Sequence, residues 1–221
     1  MPDHVHLVFS LPPEQVSEEA YDAFYEQHIA EILAGDGFTG VRRYWLEPAS
    51  PERPNVEFRH LAIYRTDGPP AAALARLAER QEAGEITIPE WFDAIRFLAY
   101  DGRPLEDDEL GYPDEGYVVL SHAPERFNSD EFNGWYYAHA RENLTSEGFE
   151  TVWRYALTPV LTADDMAGRA THCAFYECHG PLPELRAALK ASADAGRVDI
   201  PAWMPEGEFF SYHCRAASPA R

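Results

Sequence analysis

AYDAFYEQHIAEILAGDGFTGVRRYWLEP, from Ala20 to Pro48, returns as EFNGWYYAHARENLTSEGFETVWRYALTP, from Glu131 to Pro159. The match resumes after a short gap. FRHLAIYRTDGP (Phe58 to Pro69) answers ATHCAFYECHGP (Ala170 to Pro181), and AGEITIPEWF (Ala83 to Phe92) answers AGRVDIPAWM (Ala195 to Met204). The chain therefore reads as two copies of one unit of roughly 100 residues. A residue kept in both copies carries more weight than one kept in neither.

Working outward from this repeat gives the order of elements. Val5 to Leu11 reads as a strand that Leu11-Pro-Pro-Glu breaks. Ser17 is placed to cap a helix with two acids inside its start. Tyr21, Phe24, Tyr25, His28 and Ile32 form a stripe at helical spacing, and Gly35 or Gly37 ends it. Val41 to Leu46 is a strand, Pro48 to Pro54 a loop, and Phe58 to Tyr64 a further strand. Pro69-Pro70 opens a second helix, where a missing N–H costs little, and Gly84 closes it. Ala94 to Tyr100 is the last strand. The second copy runs the same way from Tyr117 to Cys214.

This β-α-β-β-α-β order is that of a ferredoxin-like unit. The expected fold class is α+β: tandem ferredoxin-like repeats forming an intramolecular dimeric α+β barrel, a pseudo-dimer with helices outside. The expected divisions are a first repeat over 1–100, a linker over 101–116 rich in Gly, Pro and acids, a second repeat over 117–215 and a tail over 216–221. Disorder is expected only in the tail.

Composition sets outer bounds. A chain of 221 residues buries roughly 70% of its unfolded surface. Its net charge of -20 repels phosphate backbones, so nucleic acid is not an expected partner. Cys173, Cys178 and Cys214 are odd in number and form no CxxC, which fits free thiols in a reducing compartment. The N-terminus has neither a basic start nor a long apolar run, so no signal peptide is expected. No stretch approaches the ~20 apolar residues of a membrane helix. A cytoplasmic protein follows, with a small-molecule ligand as partner and room for a homodimer of pseudo-dimers.

The repeated motif resembles the EthD-like branch of the dimeric α+β barrel superfamily. The residues that carry it are Phe24-Tyr25-Glu26-Gln27-His28, Gly37-Phe38 and Arg43-Tyr44. The second copy has Trp135-Tyr136-Tyr137-Ala138-His139, Gly148-Phe149 and Arg154-Tyr155. The resemblance covers both repeats. It implies small apolar or aromatic substrates, because relatives include cofactor-free monooxygenases, lactone isomerases, polyketide cyclases, haem enzymes and accessory proteins. It does not choose among these reactions.

Three matched sets of residues could carry chemistry. His28 and His139 each precede a carboxylate by three positions, Glu31 and Glu142, on one helix face. A carboxylate that orients an imidazole suits a general base; a plain surface ion pair is the structural alternative. His60 and His172 each share a strand face with a tyrosine, Tyr64 and Tyr176, with Ala62 or Ala174 between. Such a pair looks like the acid/base pair of the superfamily's cofactor-free cyclases, or it braces the sheet. Arg43 and Arg154 hold a carboxylate or enolate if they point inward, or clamp Glu31 and Glu142. Tyr25 and Tyr136 join them as substrate-binding candidates. Trp91 and Trp203 read as core.

HxxE supplies two ligands per half where a closed metal site wants three or four, and His4 and His6 share a strand face without a counterpart in the second copy. No metal and no cofactor are expected, and nothing singles out a haem ligand. Glu26, Gln27 and Arg42 stand opposite Tyr137, Ala138 and Trp153, so the second pocket is expected to be more aromatic and less charged. The function expected is a cofactor-independent enzyme acting on a hydrophobic, oxygenated small molecule. Histidine removes a proton next to a carbonyl, in an isomerase, cyclase, lyase or monooxygenase reaction. The alternatives are a non-catalytic ligand-binding or accessory protein and a haem- or metal-dependent oxidoreductase.

Overall fold

The computed structural model describes residues 4–49, 58–161 and 170–217. The loop expected over Pro48 to Pro54 lies outside them from position 50 on, as does the tail from position 218. The strands are β1 (His4–Leu11), β2 (Phe38–Pro48), β3 (His60–Thr66), β4 (Arg96–Pro104), β5 (Glu115–His122), β6 (Phe149–Leu161), β7 (His172–Cys178) and β8 (Glu208–Ala216). The helices are α1 (Glu18–Leu33), α2 (Pro70–Glu82), α3 (Ser129–Asn143) and α4 (Leu182–Asp194).

All eight strands close into one antiparallel barrel in the order β1-β3-β2-β8-β5-β7-β6-β4. The strands of each copy are neighbours, and two seams, β2–β8 and β4–β6, join the copies. Closure leaves no open sheet edge. The barrel is the mixed α+β architecture expected from the repeat. One boundary moves. β4 was expected to end at Tyr100, yet it continues through Asp101–Pro104 because those residues pair with Tyr155–Thr158 of β6. Four residues of the expected linker are barrel wall, an arrangement that Gly102 and Pro104 conceal in the sequence.

Strand alternation sorts side chains into two layers. Leu7, Phe9, Tyr44, Leu61, Ile63, Tyr100, Phe175 and Tyr212 fill the barrel interior. The opposite faces meet the helices in two separate cores. One is built around Tyr21, Tyr25, Ile29, Ala62 and Tyr64, the other around Phe132, Tyr136, Ala140, Ala174 and Tyr176. The helix starts follow local rules. The Ser17 hydroxyl accepts the N–H of Ala20, Asn128 and Glu131 form a reciprocal capping box, and α2 and α4 begin at prolines. Gly84 and Gly196, just past the C-termini of α2 and α4, take positive φ angles of 77° and 68°, as helix-ending glycines do.

Candidate active site

The candidate cavities lie between helix and sheet, outside the packed barrel. They form a matched pair, one per copy, of about 240 and 260 Å³. They are lined by corresponding residues. Tyr25, His28, Phe38, Tyr64, Leu77, Ile86 and Ile88 line the N-terminal cavity. Tyr136, His139, Phe149, Tyr176, Leu189, Val198 and Ile200 line the C-terminal one at the matching positions. A mostly apolar hollow with a few convergent polar groups is the usual form of a small-molecule site.

Six of the ten expected site residues thus meet in these cavities: Tyr25, His28 and Tyr64 in one, Tyr136, His139 and Tyr176 in the other. His28 stacks on Phe24 with ring centres 5.1 Å apart, and His139 on Trp135 at 4.7 Å. Burial pushes His28 down to about 4, against a smaller upward pull from Glu31, so the ring is neutral at pH 7. Its Nδ1 is buried with no hydrogen-bond partner among the described residues. Burial lowers His139 as well, and its Nδ1–H donates to the Asp199 carbonyl at 3.1 Å. Burial raises Tyr64 and Tyr176 far above the usual phenol range, so both hydroxyls stay protonated. The Tyr176 oxygen accepts from Asn143 at 3.2 Å.

The helix carboxylates do not pair with the histidines. Glu31 accepts the backbone N–H and the hydroxyl of Thr87, both at 2.7 Å. Glu142 accepts the N–H of Asp199 at 2.8 Å. The i, i+3 spacing that suggested a His–Glu dyad ties each helix to the segment carrying the next two apolar lining residues.

His60 and His172 line neither cavity. They share a strand face with Tyr64 and Tyr176, as alternation requires, but sit one step along under the helix start. His60 packs on Tyr21 with centres 4.7 Å apart, and His172 on Phe132 at 5.0 Å. Burial, reinforced by the Arg43 and Arg154 charges, lowers each to about 4. Nε2 of His60 lies 3.3 Å from a Glu18 oxygen, outside hydrogen-bond geometry.

Arg43 and Arg154 also stand behind the cavities. Arg43 donates to Asp22 at 2.8 Å and lies over the Tyr25 ring, 4.3 Å from its centre. Arg154 donates to Glu106 at 3.0 Å and to Asn133, and lies 5.2 Å from the centre of the Tyr136 ring. The tyrosines shield both guanidiniums from the hollows. The carboxylates they clamp are Asp22 and Glu106, not Glu31 and Glu142.

The expected contrast between the pockets also resolves differently. Arg42 and Trp153 project to the opposite sheet face, Arg42 donating to the Tyr112 carbonyl and to Asp114. Glu26, Gln27, Tyr137 and Ala138 line neither cavity. The cavities differ instead where His6, Ile32, Gln81 and Ala99 face Tyr117, Asn143, Ala193 and Ser211. His6 was singled out only as half of a weak metal pair. Nδ1–H of His6 donates to Asp101 Oδ1 at 2.8 Å, across the β1–β4 pair that sets the two residues opposite each other. Asp101 fell in the expected linker, which hid this pair. Among the described residues the one grouping of three potential metal ligands, Glu150, Glu177 and His179, belongs to neither cavity.

No family model matches this chain, and no curated protein matches it. Solved structures are similar over nearly its whole length. A candidate monooxygenase from Fusobacterium nucleatum is 13% identical with a TM-score of 0.52, covering 98% of this chain and 94% of its own. An anthrone oxidase-like protein is 12% identical with a TM-score of 0.54, covering 99% and 92%. A variant chlorite dismutase from Candidatus Nitrospira defluvii is 8% identical with a TM-score of 0.54, covering 98% and 91%. These neighbours belong to the dimeric α+β barrel superfamily, and at such identities the likeness is one of fold. Among the described residues no helix is long and apolar enough to cross a membrane.

Proposed function

We propose that the chain is a tandem pseudo-dimer of ferredoxin-like repeats, of EthD-like type. In this reading it is a cofactor-independent enzyme acting on a hydrophobic, oxygenated small molecule, aromatic or polyketide-like, by removing a proton next to a carbonyl. The duplicated cavity is the observation that carries the reading. Apolar walls accept the carbon frame of the substrate, and each cavity holds a neutral imidazole and a protonated tyrosine at matched positions. An uncharged imidazole can take a proton. A phenol hydroxyl can donate a hydrogen bond to the oxygen on which negative charge develops. The fold likeness to an anthrone oxidase-like protein is in keeping with an oxygenated aromatic substrate. Arg43 and Arg154 act as positioning residues through Tyr25 and Tyr136. Isomerase, cyclase, lyase and monooxygenase reactions share this first step.

The test is titration of the purified protein with β-tetralone, a bicyclic aromatic ketone, beside an absorption spectrum of the untreated protein. Binding with turnover of its α-protons supports the reading. Binding without turnover favours a carrier protein. An intense visible band from a retained pigment overturns the cofactor-free mechanism.

A further inference from the structure

The two cavities are alike in shape but not in proton chemistry. In the C-terminal cavity the position of His6 is taken by Tyr117, whose hydroxyl donates to Ser211 at 3.2 Å. The residue opposite Tyr117 on β8 is His213, where β4 has Asp101 opposite His6. Among the described residues, a cavity-lining imidazole hydrogen-bonded to a carboxylate is therefore found in the N-terminal cavity and not in the C-terminal one.

We propose that His6, oriented by Asp101, is the proton acceptor of this enzyme and that the N-terminal cavity is where the chemistry occurs. The inference rests on the proton-abstraction reading above and names the residue and the half that perform it. A carboxylate that accepts Nδ1–H fixes the tautomer of the ring, leaves Nε2 as the basic nitrogen and stabilises the charge the ring acquires. Rigid strands carry both groups in direct register, so the geometry does not depend on a loop. His28 shares the cavity but has no such partner, and a ring pushed down to about 4 by burial is a weak acceptor at neutral pH. The groups facing His6 are Asp101 on β4, Tyr64 opposite it on β3 with ring centres 6.3 Å apart, and His28 on α1 across the cavity.

The step balances without an oxidant. The C–H bond next to the substrate carbonyl breaks, and its proton passes to His6 Nε2. The electron pair becomes an enolate whose oxygen accepts from the Tyr64 hydroxyl. The proton on the imidazolium exchanges with solvent, and the ring then delivers a solvent-derived proton (a deuteron in D₂O) back to the carbon, regenerating the neutral ring.

Exchange of the α-protons of β-tetralone in D₂O, followed by proton NMR, tests this. Wild-type protein is expected to accelerate exchange. His6→Asn should lower the rate by about 100-fold. Asp101→Asn should lower it comparably while β-tetralone binding stays within twofold, and Asp101→Glu should restore part of it. That separation of rate from binding distinguishes a positioning residue from a merely structural one. His179→Gln, at an exposed position outside both cavities, serves as the control. If His6→Asn fails to fold, Asp101→Asn carries the test. Exchange that survives in the folded His6 and Asp101 variants but is lost in His28→Gln overturns the inference and leaves the general reading standing. A wild type that does not bind β-tetralone, or binds it without exchange, overturns both.

Discussion

Glu31 on the last turns of α1 accepts the backbone N–H of Thr87 at 2.7 Å, and this bond fixes the segment that brings Ile86 and Ile88 to the N-terminal cavity. The same carboxylate accepts the Thr87 hydroxyl and the Gln27 amide. Desolvation pushes Glu31 up, but these hydrogen bonds together outweigh it and hold it below the usual carboxylate range. Its contribution is therefore present above the unfolded-state value and is lost as pH falls through the folded one. Glu31→Gln should cost about 1 kcal/mol, and amide hydrogen exchange around Thr87 should quicken selectively. Uniform exchange across the chain would count against the tie.

The three histidines that desolvation lowers to about 4, half-buried His28 and buried His60 and His172, set an acid limit. Between about 6.5 and 4 the unfolded chain binds protons that these folded rings refuse, so stability falls as pH falls through that window. Each ring contributes a slope of about 1.4 kcal/mol per pH unit. Denaturant titrations at a series of pH values should show the wild-type slope reduced in His60→Gln. An unchanged slope would mean that the ring titrates alike in both states.

Arg154 is buried against Glu106 and Asn133, with Glu106 itself little exposed. Arg154→Met leaves that carboxylate without its close cation, at a cost of about 3 kcal/mol. For a chain of this size the melting temperature should drop by roughly 6–12 °C. A change under about 2 °C would show that Arg141, 3.8 Å from the same oxygen, takes over.

Leu77 and Leu189 occupy equivalent cavity walls. Calorimetric titration with a neutral naphthol should give two sites in the wild type, one in Leu77→Trp, one in Leu189→Trp and none in the double variant. Identical stoichiometry in all four proteins would place the naphthol elsewhere.

Much of this was legible in the sequence because the repeat doubles every signal. The element order follows from one copy and is checked by the other, and the stripe Tyr21, Tyr25, His28, Ile32 marks the helix face that meets the sheet. What the sequence could not convey was depth. His60 and Tyr64 alternate onto one face, but only the docking of α1 decides that Tyr64 reaches the hollow while His60 is sealed under Tyr21. For Arg43 the sequence left open an inward-facing anchor or a clamp; the guanidinium donates to Asp22 and lies over the Tyr25 ring, which lines the cavity in its place. His6 and Asp101 stand 95 positions apart and their counterparts differ, so the repeat that clarified everything else gave no hint of them.

Leu161, the last residue of β6, belongs to the second copy but lines the N-terminal cavity of the first. The N-terminal half is therefore an incomplete vessel, whereas the C-terminal cavity is lined by residues of its own half. The dependence runs one way across the β4–β6 seam. A change at the end of β6 alters the hollow across the seam, so the N-terminal cavity can be retuned from a strand that its own half does not own.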